Sequence, residues 1–131
     1  MEEATVRAAL ERHWELAGTD QEGAHELYHD DAVLEFPQSQ ERYEGKANFL
    51  AWRRIYPASV RFRIRRIRGS GGLWVAEVSV SYSEGPWLCA CSILEFRHGK
   101  VIRETIYIGD GWQAPDWRAQ WRAPWRAESA G

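Results

Sequence analysis

The sequence predicts an α+β fold: a cone-shaped α+β barrel in which a curved, mostly antiparallel sheet carries three N-terminal helices on its concave face. Three observations lead there. Apolar residues recur at helical spacing in the early part of the chain, and from Val60 onward they alternate with a period of two. Turn signals, most of them containing glycine, cut this second part into four long strands. At 131 residues the chain has room for one core, read as a single domain over 1–131 with a Trp-rich C-terminal strap over 112–131. Hydrophobic residues at 44% and charged residues at 27% are the composition of a folded domain, which excludes disorder.

The elements follow in order. From Glu2 to Ala17, Val6, Ala9, Leu10, His13/Trp14 and Ala17 mark one buried helical stripe. Gly18-Thr19-Asp20 ends that helix and caps a second, shorter one carrying Ala24, Leu27 and Tyr28, which Asp30-Asp31 stop. Ala32–Phe36 reads as a strand closed by Pro37, with a loop after it. A third helix starts at Gly45-Lys46-Ala47-Asn48, carries Phe49, Leu50, Trp52, Arg53 and Tyr56, and stops at Pro57. Val60, Phe62 and Ile64 then alternate with Arg61, Arg63 and Arg65, and the phase slips at Arg65-Arg66 as a β-bulge would make it. Gly69–Gly72 turns the chain into a strand with Trp74, Ala76, Val78, Val80 and Tyr82 on one face. After Glu84-Gly85-Pro86 comes a segment apolar on both faces, so it is covered on both, by helices on one side and by a partner subunit on the other. His98-Gly99 turns into a last strand, Val101–Ile108. Trp117-Arg118-Ala119, Trp121-Arg122-Ala123 and Trp125-Arg126-Ala127 repeat every four residues, as a strap packing its indoles over the domain or a lid across a cavity mouth.

Charge narrows the function. Residues 1–44 carry a net −9, residues 45–76 a net +8 and residues 77–131 a net −1. The basic middle, with its arginine-alternating strand, could suggest nucleic acid, but the acidic first third is its natural complement and the total is only −2. No nucleic-acid partner is therefore expected. No apolar run reaches the ~20 residues that cross a bilayer, and the amphipathic start is no secretory signal, so no membrane partner and a cytoplasmic location are expected. Cys89 and Cys91 are too close to bridge and lack zinc spacing, so they read as small reduced hydrophobes.

A bent sheet roofed by helices encloses a cone, and few groups on its faces are polar. His13, on the apolar stripe of the first helix, can act as acid or base near neutral pH. Tyr28 and Tyr107 are hydroxyls placed to orient a ligand, and Glu104 stands among isoleucines, either paired with an arginine or buried. The expected ligand-binding lining is Trp14, Phe36, Trp52, Tyr56, Trp74, Trp87 and Trp112, with Cys89. His25 and His29 at helical i, i+4 spacing lack a third ligand, and Asp30-Asp31 at a helix end diverge, so neither a metal site nor a carboxylate dyad is expected. No Gly-rich phosphate loop is present, and no cofactor is expected.

The run Tyr28-His29-Asp30-Asp31-Ala32-Val33-Leu34-Glu35-Phe36-Pro37, then Tyr43-Glu44-Gly45-Lys46, and the turn Phe96-Arg97-His98-Gly99-Lys100-Val101 resemble the nuclear transport factor 2-like superfamily, in its SnoaL-like, ketosteroid-isomerase-like branch. That resemblance implies a homodimer packed through the convex sheet faces, with a pocket in each cone. It also implies a general-base Asp just before the Pro that closes the first strand, a second acid near Ser92, and a helix-one Tyr at Arg12 or His13. Phe36 and Ser92 stand at the first two positions, so steroid isomerisation is disfavoured. The expected function is binding of a small hydrophobic molecule, with cofactor-independent isomerisation, cyclisation or hydration as the reaction class. The alternative is a non-catalytic ligand-binding or dimeric interaction module.

Overall fold

The computed structural model describes residues 2–125. Helix α1 spans Glu3–Leu16, the single turn α2 Gln21–Ala24, and a 3-10 turn His25–Leu27 leads into strand β1, Tyr28–Phe36. Strand β2 (Glu41–Glu44) and helix α3 (Lys46–Arg54) precede four long strands, β3 (Val60–Ser70), β4 (Leu73–Tyr82), β5 (Leu88–Arg97) and β6 (Lys100–Gly109). They form one six-stranded sheet in the order β2-β1-β6-β5-β4-β3, antiparallel except for the β1–β6 pair. The sheet is curved and unclosed, with β2 and β3 as its two edges.

Three local readings change. Tyr28 opens a strand instead of lying on a helix, and His29, Asp30 and Asp31 bulge outward from it, because the five steps from Tyr28 to Val33 span only the two from Val101 to Arg103. His25 and His29 therefore share no helix face, and Asp30 and Asp31 are both exposed. The expected loop after Pro37 contains β2, which pairs Glu41–Glu44 with Phe36–Val33. The slip at Arg65 is a bulge, opposite the Val78–Glu77 step of β4. His98 and Gly99 both have positive φ, 51° and 80°, as the two central residues of a tight hairpin turn require.

Packing decides what the helices cover. Val6, Leu10 and Trp14 of α1 pack on β3, Phe49 of α3 packs on β1, and α2 sits between the two helices. At Gly18 the backbone comes so near β3 that a Cβ would stand 2.4 Å from the Val60 carbonyl oxygen, which holds the end of α1 against the sheet. Trp74 is fully buried under α1, with the Arg7 guanidinium 5.6 Å from its ring and its indole N–H donating to the Gly71 carbonyl at 3.0 Å. The ion pairs seen for the arginines of β3 run to β4, not to the acidic first third. Arg65, Arg66 and Arg68 converge on Glu77 of β4, and Arg61 and Arg63 stack on Trp87 at 4.9 and 3.9 Å. The tail does not bury its indoles: Trp112, Trp117, Trp121 and Trp125 are each about three-quarters exposed or more, and Trp125 meets the domain through Arg65. Residues 126–131 of the expected strap lie outside the described residues.

Candidate functional site

Between α1, α3 and the inner sheet face lies a cavity of about 400 Å³. Its walls are apolar, with Trp14, Phe36, Trp52, Phe62, Val80 and Ile106 among them. Polar groups stand at its two ends. Exposed Glu41 and Tyr56 mark the rim with Tyr43, whose hydroxyl donates to Glu41, as does that of Ser39. At the inner end are buried His13 and His25, with half-buried Arg53 beside them.

His13 comes from the last turn of α1. Its Nδ1 lies 2.7 Å from the Ala24 carbonyl oxygen, which can only accept, so Nδ1 carries the proton and Nε2 is an acceptor. The ring is wedged edge-on between Trp14 and Tyr28, at 4.8 and 5.6 Å. Burial lowers its pKa, with the carboxylate of Glu104 and the Ala24 bond opposing and Arg53 adding to the fall. A neutral imidazole with a free Nε2 is what a general base needs.

His25 is neutral for a different reason. Its Nδ1–H donates to the Gln21 carbonyl at 2.7 Å, and its Nε2 accepts from Arg53 Nη1 at 3.1 Å. Burial, then the neighbouring Arg53 charge, pushes its pKa down to about 4. Protonated, it would turn a second donor toward the arginine. The unfolded chain binds this proton near pH 6.5 while the folded chain resists it to about 4, so unfolding takes up a proton in that interval. Stability from His25 is expected to be complete above about pH 6.5 and to be lost as the pH falls toward 4. Denaturant midpoints across that range check this: His25→Gln should flatten the slope, and an unchanged slope would contradict it.

Arg53 continues a buried chain of hydrogen bonds. Its Nη1 also donates to the Tyr28 hydroxyl at 3.4 Å, Tyr28 donates to one oxygen of Glu104, and Ser92 donates to the other at 2.5 Å. Glu104 is fully buried and Ser92 nearly so. Burial, together with the Glu104 charge, drives the Tyr28 pKa upward and keeps that phenol protonated.

Five of the sequence-derived residues line the cavity: His13, Trp14, Phe36, Trp52 and Tyr56. The others are placed elsewhere. Tyr28 is buried one layer behind the wall, its hydroxyl engaged by Arg53 and Glu104. Tyr107 is 43% exposed on the outer sheet face beside Cys89 and Cys91, because strand alternation sends it opposite Glu104 and Ile106. Trp74 is sealed in the core, Trp87 lies under the β3 arginines, Cys89 is exposed on the outer face, and Trp112 is 85% exposed in the tail. The sequence reading missed Arg53, although Phe49, Trp52, Arg53 and Tyr56 lie on one helical stripe where a charge is out of place. It also missed Glu41 and Tyr43, which belong to the unread strand β2.

Comparison with known proteins agrees with this architecture. The family model for the SnoaL-like domain matches residues 6–104. An NTF-2 like protein of unknown function from Burkholderia xenovorans LB400 is 42% identical over 96% of this chain and 99% of its own, with a TM-score of 0.91. A candidate ketosteroid isomerase from Kribbella flavida DSM 17836 superposes with a TM-score of 0.82 at 23% identity, covering 98% of this chain and 96% of that one. An LEH-like epoxide hydrolase of M. tuberculosis gives 0.69 at 20% identity, covering 80% and 83%. The latter two share the fold alone. No curated protein matches the chain.

Proposed function

Since the chain belongs to the SnoaL-like family, we propose that it binds a small, mostly apolar compound in the helix-roofed cavity and moves a proton on it, with His13 as the acid/base group. The observation that carries this reading is the state of His13: a buried, neutral ring in the cavity wall, its tautomer fixed by Ala24 and its Nε2 unpartnered by protein among the described residues. Isomerisation, cyclisation and hydration each need such a transfer. Neighbours of the same fold carry names from this range, including a candidate polyketide cyclase from Sinorhizobium meliloti and the epoxide hydrolase already described. The dienolate chemistry of ketosteroid isomerase is disfavoured, because the apolar ring of Phe36 stands where the resemblance implies the general base and Ser92 is buried as a donor to Glu104. A metabolite-pool thermal-shift screen tests the reading: a compound that raises the melting temperature and is then converted supports it. A compound that binds unchanged favours the second reading, a non-catalytic ligand-binding module, which the apolar Phe36 also suits.

The assembly in this reading is a homodimer through the outer sheet face, where Leu73, Cys89 and Tyr107 are exposed and Cys91 and Ile93 are half-buried. Sedimentation equilibrium should give twice the mass of one chain, and Tyr107→Glu should shift it to one. A wild-type monomer would refute the dimer. Both thiols are unpaired, which suits a cytoplasmic setting, and among the described residues no helix is long and apolar enough to cross a membrane.

A further inference from the structure

Arg53 is a guanidinium at the inner end of an otherwise greasy cavity, and no carboxylate lies within ion-pairing distance of it among the described residues. Its orientation is fixed from several sides. Nη1 is committed to His25 and Tyr28, and the guanidinium packs over the rings of Phe49 and Trp52, each 5.4 Å away. Nη2 and Nε have no protein acceptor among the described residues. They are also not sealed in, unlike the buried, unpartnered indole nitrogens of Trp14 and Trp52. The nearest buried carboxylate, Glu104, already accepts from Tyr28 and Ser92 and meets Arg53 only through the tyrosine hydroxyl. The arginine thus presents open donors among apolar cavity walls, and His13, a lone-pair acceptor, lies against the same Tyr28 ring.

We propose that Arg53 is the oxygen-recognition residue of this cavity, and that its ligands are compact, largely apolar compounds bearing a carbonyl or carboxylate oxygen that seats on the free guanidinium donors. The proposal rests on the ligand-binding reading of the cavity and names the substrate class within it. Guanidinium donors recognise a planar oxygen group directionally, and the strength of a charge-assisted hydrogen bond rises where water is excluded. The ring-shaped remainder of the ligand lies against Trp14, Phe36, Trp52 and Phe62.

Three naphthalenes of similar size test this in the full chain by calorimetry: 2-acetylnaphthalene and 2-naphthoate against 2-ethylnaphthalene. At least one oxygenated probe should bind wild-type protein about tenfold or more tightly than the hydrocarbon, as expected for charge-assisted hydrogen bonds. Preference for the acetyl compound identifies a carbonyl ligand, and preference for the naphthoate identifies a carboxylate. Arg53→Gln should remove the preference while leaving affinity for 2-ethylnaphthalene within about threefold. The wild-type comparison stands alone if that variant does not fold. Equal binding of all three probes overturns the role of Arg53 and leaves the apolar cavity standing as a ligand site. No binding of any probe overturns both.

Discussion

Replacing Glu104 with alanine is expected to lower the stability by about 2–5 kcal/mol, since two buried hydroxyl donors, at about 1–3 kcal/mol each, lose their shared acceptor. Glu104 is fully buried and is the shared acceptor of Tyr28 and Ser92. Without it the Tyr28 phenol loses its acceptor, and the half-buried Arg53 loses the carboxylate that it reaches through that phenol. Glu104→Gln preserves the shape and one acceptor oxygen, so its loss should be distinctly smaller. Urea unfolding of the two variants beside the wild type measures both, and a loss for Glu104→Ala below about 1 kcal/mol, the value of an ordinary hydrogen bond, would show that the chain of contacts is not a unit. Because Tyr28 and Arg53 touch the two histidines, partial loosening should also weaken ligand binding in the Gln variant.

His13→Asn should abolish most turnover of any compound the protein converts while leaving its affinity nearly unchanged. Asparagine is the informative substitution because its amide N–H can replace Nδ1–H as donor to the Ala24 carbonyl, so α1 stays tied to α2. The Nε2 lone pair disappears, together with the ring's edge contacts to Trp14 and Tyr28. General-base assistance contributes roughly 10²–10⁴-fold, and a loss of that size with unchanged binding is the expected result. Turnover in the wild type should be full at neutral pH and decline on acidification, since burial holds the imidazole pKa below its usual value and the base form persists to lower pH. Equal turnover by wild type and variant would assign the proton transfer to another group or to none.

Much of this fold is legible in the sequence wherever one face is buried and the repeat is regular. The stripe Val6, Leu10, Trp14 locates α1, and the Val60–Ile64 alternation with its slip at Arg65 locates both β3 and its bulge. What escapes is set by partners distant along the chain. Residues His29–Asp31 leave the β pattern because β6 runs parallel to β1 and matches fewer positions there, and four-residue β2 is too short to show a period. The cavity divides along the same line. His13, Trp14, Phe36, Trp52 and Tyr56 face inward as their periodicity says, whereas the depth of Trp74 depends on Arg7 and α1 lying over it. Tyr107 could have been excluded from strand parity alone, being opposite Glu104. Arg53 and Glu104 share a signature that parity does expose: a charge on an apolar stripe.

An open sheet leaves two borders whose peptide groups could recruit another chain, and the eleven-residue β3 is the longer one. Five arginines along it, at 61, 63, 65, 66 and 68, make that border a poor template, because a second copy laid beside it would bring like charges face to face. The kink where Ile64 passes to Arg66 further spoils any straight ladder. The arginine-rich run therefore disfavours fibrillar stacking through this edge.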